Sequence, residues 1–205
     1  MAREIEVGRL LRASTSSFVV GCRVTQLDVP SFGALVRAPL GKDYQVFGLI
    51  HDIRIDDDGL VRQLVTAEQV SEEVILDNRD RRIVPVELSA LVVGYEQGGE
   101  VHHRLPPRPP LSLDLIYLCD PADVRRFTAT GRFGYFRHLL RMPELPIGEL
   151  VAAHILNARM SHEDPAEWTD AAVQEIILLL RDDYDLLTSV LGALDQGAPA
   201  SKVDQ

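Results

Sequence analysis

A pair of strand-like runs joined by a short turn, between Gly33 and Asp58, constrains the fold of this chain most strongly. In the second run, apolar residues alternate with charged ones. The apolar residues Phe47, Leu49, Ile53 and Ile55 all lie on one face of the predicted strand. Such alternation predicts a strand with one buried and one solvated face. Gly33 and Gly48 occupy positions where a strand bends sharply or another part of the chain comes close. These features predict a small, strongly curved antiparallel barrel.

Further strands complete the predicted barrel. Alternating apolar residues predict strands over 4–13, 17–24 and 83–95, with a short return over 101–104. The glycine pair Gly98-Gly99 predicts the hairpin turn before that return. Residues 56–59, Asp-Asp-Asp-Gly, read as a turn after the fourth strand. Helical spacing of apolar residues predicts one helix over 67–78.

Residues 105–111 form a proline-rich segment with the sequence Leu-Pro-Pro-Arg-Pro-Pro-Leu. It favours a stiff, extended spacer at a domain boundary, and a ligand for a proline-recognising domain is the alternative. The predicted fold class is therefore α+β. We expect a barrel domain over 1–104, a linker over 105–111, a mostly helical domain over 112–197 and a disordered tail over 198–205.

Two similar start signals open helices in the second half. Asp120-Pro121 and Asp164-Pro165 each combine an N-cap residue with proline at the first helical position, and each is followed by an acid. The second signal predicts one long helix, whose apolar stripe runs from Trp168 to Leu194.

Composition limits the location and the partners. The chain has 205 residues and a net charge of −10, which disfavours general binding to nucleic acid or to anionic membranes. No apolar run reaches the roughly 18 residues that span a bilayer, and acids occupy the N-terminal region where a signal peptide is apolar. We therefore expect a cytoplasmic protein. Of the two cysteines, Cys22 shares the apolar parity of its strand, which favours a buried, reduced thiol.

The sequence contains no recognisable catalytic, metal or cofactor motif. Zinc spacings, nucleotide-binding loops and the Gly-x-Ser-x-Gly elbow are all missing. The run His162-Glu163-Asp164 resembles a ligand set, but Asp164 already has a capping role. His51 lies on the apolar parity of the fourth strand, as a hydrogen-bonded core histidine, a residue at the barrel mouth or a metal ligand. The prediction is a protein that is not an enzyme and holds no cofactor or metal.

Residues 125–141, which we call the arginine–aromatic segment, are rich in arginine although the chain as a whole has a net negative charge. The notable side chains of this segment are Arg125, Arg126, Phe127, Arg132, Phe133, Tyr135, Phe136, Arg137 and Arg141. Arginines beside rings are typical of single-stranded nucleic-acid binding, with charge on phosphates and rings under bases. They are also typical of protein interfaces. A third interpretation is an amphipathic helix with core aromatics and solvated arginines.

The first 111 residues resemble the HAS-barrel family, the small barrel at the N-terminus of HerA-type DNA translocases and of rotary ATP synthase subunits. The matching segments are 8–15 in the first strand, 18–20 in the second, 32–36 entering the third and 46–50 in the fourth. The proline exit 105–111 is similar to the segment that leaves the barrel for the ATPase. No ATPase core follows here, so ATP hydrolysis and translocation are not implied.

The resemblance implies a rim module that helps rings to assemble or docks a partner such as a nuclease. The first functional hypothesis is thus a non-catalytic interaction or assembly protein, accessory to a HerA-type DNA-processing ATPase or nuclease, or self-associating. The second is a nucleic-acid-binding accessory protein that uses Arg125, Arg126, Arg132 and Arg137. The third is a small-molecule enzyme or regulator that uses His51.

Overall fold

The computed structural model describes residues 4–23, 30–55, 85–142 and 145–197. Within these ranges the predicted strands are confirmed, with ends that shift by a few residues at most. The strands are β1 (Glu6–Ala13), β2 (Ser17–Arg23), β3 (Leu35–Pro39), β4 (Tyr44–Ile55), β5 (Pro85–Gln97), β6 (Glu100–His102) and β7 (Leu115–Leu118). Gly98 and Gly99 adopt φ of 60° and 83°, as the hairpin between β5 and β6 requires.

The strands form a closed antiparallel barrel. The order is β2-β1-β7-β3-β4-β5-β6, and an additional pairing of β2 with β5, from Ser17↔Leu91 to Arg23↔Pro85, closes a ring of six strands. Strand β6 pairs with the far end of β5 only. The predicted α+β class, with an antiparallel barrel followed by helices, is therefore confirmed.

Strand β7, which completes the barrel between β1 and β3, lies beyond the proline-rich segment. Strand β7 pairs with both β1 and β3, although its residues fall in the range predicted to be helical. The proline-rich segment therefore connects two strands of the barrel, and the helices begin only at Pro121. The segment also packs on the barrel, because Tyr44 donates a hydrogen bond to the Arg108 carbonyl (3.2 Å) and the Arg108 guanidinium covers the Tyr44 ring at 4.9 Å.

Strand β4 is buried on both faces along its first half, which explains its continuous apolar run. Val46, Gly48 and Ile50 face the barrel interior, while Phe47 and Leu49 face the helices. A Cβ atom at Gly48 would lie 2.5 Å from the Phe18 ring, so the predicted close approach is confirmed.

The second half of β4 departs from the prediction. The ladder to β5 shifts between Ile50 and Asp52, which makes His51 a bulged residue and changes the parity that follows. Ile53 and Ile55, predicted to be buried, are 37% and 53% exposed.

From Pro121 onward, the secondary structure of the described residues is helical. The helices are α1 (Pro121–Ala129), α2 (Phe136–Leu139), α3 (Ile147–Ala158), α4 (Pro165–Leu179) and α5 (Tyr184–Gly197). Both predicted N-caps are confirmed, since Asp120 accepts from the Asp123 N–H and Asp164 from the N–H groups of Ala166 and Glu167.

The single long helix predicted from Trp168 to Leu194 is wrong, because the chain turns between α4 and α5. The N–H of Asp183 donates to the Leu180 carbonyl, and the Asp183 carboxylate accepts from the Leu186 N–H, which caps α5.

One apolar core joins the helices to the outer face of the barrel. Leu35, Phe47 and Leu91 from the strands pack in the same cluster as Phe127, Tyr135, Ile155 and other helical residues. A second cluster fills the barrel interior. Helix α3 approaches the barrel so closely that a Cβ atom at Gly33, whose φ is +78°, would lie 2.8 Å from Ala153 Cβ.

Three predicted features lie outside the described residues: the turn at 56–59, the helix over 67–78 and the tail over 198–205. Among the residues that the structure describes, none of the helices has the length and apolar character needed to cross a bilayer. Cys22 and Cys119 are both buried, free thiols.

Candidate functional site

The arginine–aromatic segment folds with its rings inside and its arginines outside. Phe127, Tyr135 and Phe136 are completely buried, and Phe133 is half-buried. All five arginines, Arg125, Arg126, Arg132, Arg137 and Arg141, are exposed. This placement matches the amphipathic interpretation of the segment. It removes three of the four rings as surfaces on which a nucleic-acid base stacks.

A half-buried ionic network fixes α1 to the barrel. The Arg37 Nε atom lies 2.9 Å from an Asp123 carboxylate oxygen, at an angle that makes the contact an ion pair rather than a hydrogen bond. Arg126 pairs with Asp123 at 2.9 Å and with Glu96 on β5 at 3.0 Å. Because these contacts hold α1 in place, Arg126 has a structural role within the segment.

A left-handed turn follows α1. Gly131, Arg132 and Phe133 have φ values of 60°, 47° and 56° in succession. Glycine adopts this conformation freely, whereas each L-residue with a side chain costs about 1–2 kcal/mol there. Two consecutive residues other than glycine in this region are therefore a local strain that the surrounding packing maintains.

The turn forms one wall of an open groove between α1 and the start of α4, which we call the α1–α4 groove. Its volume is about 530 Å³. Helix α1 and the turn contribute one side, and the loop before α4 and its first two turns contribute the other. The side chains that define it are Arg125, Thr128, Arg132, Phe133, His162, Glu163, Glu167 and Trp168.

Aromatic rings form the floor of the α1–α4 groove. His162 stacks on Trp168 with ring centroids 4.5 Å apart and planes 14° apart, and Phe133 contacts Trp168 at 5.5 Å. The Thr128 hydroxyl donates to the Val124 carbonyl, so at 2.9 Å it accepts a hydrogen bond from His162 Nε2. Burial, and then the positive charge of Arg125, lower the pKa of His162. The histidine therefore serves as a neutral, oriented ring near neutral pH.

The α1–α4 groove carries charges of both signs on opposite walls. Arg125 and Arg132 lie on the wall formed by α1 and the turn, while Glu163 and Glu167 lie on the α4 wall. One pair, Arg125 with Glu163 at 3.5 Å, crosses between them, and Glu163 is 93% exposed. Such an exposed pair is worth less than about 1 kcal/mol, so an incoming charged group readily replaces it.

A smaller cavity of about 210 Å³ lies between the barrel and the helices and includes Cys119 and His154. Burial raises the pKa of the Cys119 thiol well above its ordinary value, so the thiol stays protonated and is a poor nucleophile. His154 lies 2.9 Å from the Tyr135 hydroxyl and 3.3 Å from the Gly33 carbonyl. Both ring nitrogens of His154 are thus engaged in holding the fold together.

His51, the candidate residue at the barrel mouth, is the bulged residue of β4 and is half-buried. Its Nδ1 atom is buried and finds no hydrogen-bond partner among the residues that the structure describes. Burial lowers the pKa of His51, and the neighbouring Asp52 carboxylate opposes that shift.

Sequence reasoning identified some parts of the α1–α4 groove and missed others. Arg125, Arg132 and Phe133 belong to the predicted segment, whereas the sequence pattern places Trp168 on an apolar helix stripe. The sequence indicates no role for His162 and Glu163 except as possible metal ligands. In the described ranges 4–23, 30–55, 85–142 and 145–197, no three His, Cys, Asp or Glu side chains lie close enough to hold a metal ion.

No protein-family model matches this chain, and no curated protein matches it significantly. The closed six-stranded barrel of this chain does not identify a family, because unrelated proteins share barrel architectures, so the resemblance to the HAS-barrel family stays a prediction.

Proposed function

We propose that this chain is an interaction protein that docks a protein partner or a second copy of itself through the α1–α4 groove. The observation that carries the proposal is the left-handed turn, which holds Arg132 and Phe133 at the groove wall at a conformational cost. Strain of this kind concentrates at functional sites. Phe133 is half-buried: it packs against Phe136 and Trp168, and it also lines the groove.

The chemistry of the groove supports a protein ligand. Phe133 is half-buried and Trp168 is 9% exposed, so an aromatic or aliphatic side chain in the groove contacts mainly Phe133 and the small exposed part of Trp168, and Arg132 is positioned for a carboxylate beside it. Rings and arginine together are the residues in which protein interfaces are enriched. The ligand proposed is a peptide segment that presents an aromatic side chain flanked by carboxylates.

The resemblance to the HAS-barrel family supports the same class of role, since that barrel assembles rings or docks partners. An accessory role beside a HerA-type ATPase or nuclease is the form of the proposal that this resemblance favours. In this arrangement the barrel is the rigid support, and the helices that cover its outer face present the groove.

Selection from a displayed random peptide library tests the proposal. Trp168 is the only tryptophan of the chain, so its emission reports on the groove directly. We expect selected peptides to combine an aromatic residue with acids, to change Trp168 emission and to bind at least tenfold more weakly to Arg132→Glu. Arg54→Glu, an exposed arginine on β4, is the matched control and should bind normally.

Two results would contradict the proposal. One is a selection that yields no common sequence, or one whose peptides bind Arg132→Glu as well as the unmodified protein. The other is salt-sensitive binding of single-stranded oligonucleotides that Arg132→Glu abolishes, which would favour the nucleic-acid-binding alternative.

A further inference from the structure

The turn between α4 and α5 presents an aromatic side chain to solvent. Tyr184, the first residue of α5, is 77% exposed, and Leu178 near the end of α4 is 62% exposed. A tyrosine contributes about 150–250 Å² of mostly apolar surface when it is buried, with a hydroxyl that still needs a partner. An exposed tyrosine of this kind is well suited to insertion into a groove on another molecule.

The charges around Tyr184 match those of the α1–α4 groove. Residues 181–185, which we call the acidic turn, read Arg-Asp-Asp-Tyr-Asp. Arg181 and Asp182 are 77% and 89% exposed. Asp183 caps α5, so the acidic turn offers the carboxylates of Asp182 and Asp185 to the arginine wall of the groove. It offers Arg181, which pairs with Asp182 at 3.2 Å, to the glutamate wall. Local pairing of these opposite charges orients the two partners.

The two surfaces lie at opposite ends of α4. The α1–α4 groove includes Glu167 and Trp168 in the first turns of α4, and the acidic turn follows its last residue, Leu179. A helix of this length spans about 20 Å and is rigid on that scale. The acidic turn therefore does not reach the groove of its own molecule, and the two surfaces meet only between two copies.

From these observations we infer that the acidic turn of one copy occupies the α1–α4 groove of a second copy, with Tyr184 against the ring floor. The inference rests on the proposed docking role of the groove and names its occupant. Because the contact joins two different surfaces, each bound copy leaves one groove and one acidic turn available. Repetition of such a contact produces a closed ring or an open filament.

Light scattering on two single variants and on their mixture tests the inference. Arg132→Glu alters the groove, and Tyr184→Ser alters the acidic turn; both positions are exposed, and circular dichroism checks that each variant folds. We expect the unmodified chain to gain mass with concentration, and each variant alone to associate at least tenfold more weakly. An equimolar mixture should form a one-to-one dimer, because it retains one intact groove opposite one intact acidic turn.

The inference is overturned if the unmodified chain stays monomeric, if either variant associates like the unmodified chain, or if the mixture contains no dimer. Its failure is distinguishable from failure of the proposed function. A monomeric chain that still selects peptides at the groove, detected by Trp168 emission, retains the docking role and loses only the second copy as occupant. A chain that selects no peptide and self-associates through other residues loses both.

Discussion

The imidazole of His154 lies against the backbone carbonyl of Gly33, with its Nδ1 atom 3.3 Å from the oxygen. The two residues are 121 positions apart and belong to α3 and to the segment that enters the barrel. Since the Tyr135 hydroxyl lies 2.9 Å from Nε2, the neutral ring donates from Nδ1 to the carbonyl and accepts at Nε2. This buried chain of hydrogen bonds joins the barrel to the helices and fixes the arginine–aromatic segment between them.

Lowering the pH should destabilise the folded protein through protonation of His154. Burial lowers the pKa of His154 to about 4, whereas in the unfolded chain it has its ordinary value of 6.5. The unfolded state therefore binds the proton more tightly, and the stability present above pH 6.5 is lost as pH falls towards 4, by about 3 kcal/mol in total. In urea unfolding at several pH values, His154→Gln should lose that part of the pH dependence. An unchanged pH dependence in this variant would contradict the assignment.

Gly33→Ala should be strongly destabilising. The new Cβ would lie 2.8 Å from the His154 amide nitrogen, and φ of +78° disfavours a side chain. The two effects together should lower the free energy of unfolding by at least about 2 kcal/mol. Gly192→Ala is the matched control, because its Cβ meets nothing within 4 Å in the middle of α5. It should instead stabilise the protein by about 1 kcal/mol. Equal effects at the two sites in denaturant unfolding would disprove the close approach of α3.

Substitutions at Arg37 and Asp123 should have non-additive effects on the free energy of unfolding. Their side chains are only 14% and 13% exposed, so removing one charge leaves the other poorly solvated and with a more exposed partner of opposite charge, Arg126 for Asp123 or Glu4 for Arg37. Arg37→Met alone should cost about 2–3 kcal/mol of unfolding free energy. The double variant Arg37→Met/Asp123→Leu should cost less than the sum of the two single variants, which a double-mutant cycle measures. Strict additivity would show that the pair does not hold α1 on the barrel.

Relieving the left-handed turn should separate stability from binding. Arg132→Gly removes a side chain from φ of 47° and should raise the free energy of unfolding by up to about 1 kcal/mol. The same variant should weaken association through the α1–α4 groove. Arg125→Gly, in the interior of α1, is the contrast and should lower stability by about 1 kcal/mol. A destabilised Arg132→Gly would mean that the turn is not strained.

The sequence predicted the strands well because their patterns are local. Alternation and the hairpin glycines each depend on neighbouring residues, and a glycine within the β4 pattern indicates a close approach, although its partner Phe18 is distant in sequence. Two features were not predicted from the sequence because they depend on strand pairing in the closed barrel. Strand β7 has only four residues, and it becomes a strand through pairing with β1 and β3. The bulge at His51 follows from the register with β5, so the parity of Ile53 could not be read from β4 alone.

The candidate site was only half predictable for a similar reason. The arginines and rings of residues 125–141 stand out by composition, but composition does not tell which rings the barrel covers. Phe127 contacts Phe47 on β4 at 4.7 Å, a contact between distant parts of the chain. Trp168 shares helical spacing with core residues and still reaches the groove, because α4 begins beside α1. The split between α4 and α5, which exposes Tyr184, depends on the cap at Asp183.

Photocrosslinking from the groove tests the central claim most directly. A photoreactive amino acid in place of Ala129, an exposed residue in the groove wall, captures whatever occupies the groove, and mass spectrometry identifies the captured peptide. The same probe at Arg54, on the barrel, measures random capture. We predict cross-links from position 129 to residues 181–185 of a second copy, well above those from position 54. Equal yields from the two positions, across the concentrations at which the protein associates, would contradict a docking role for the groove.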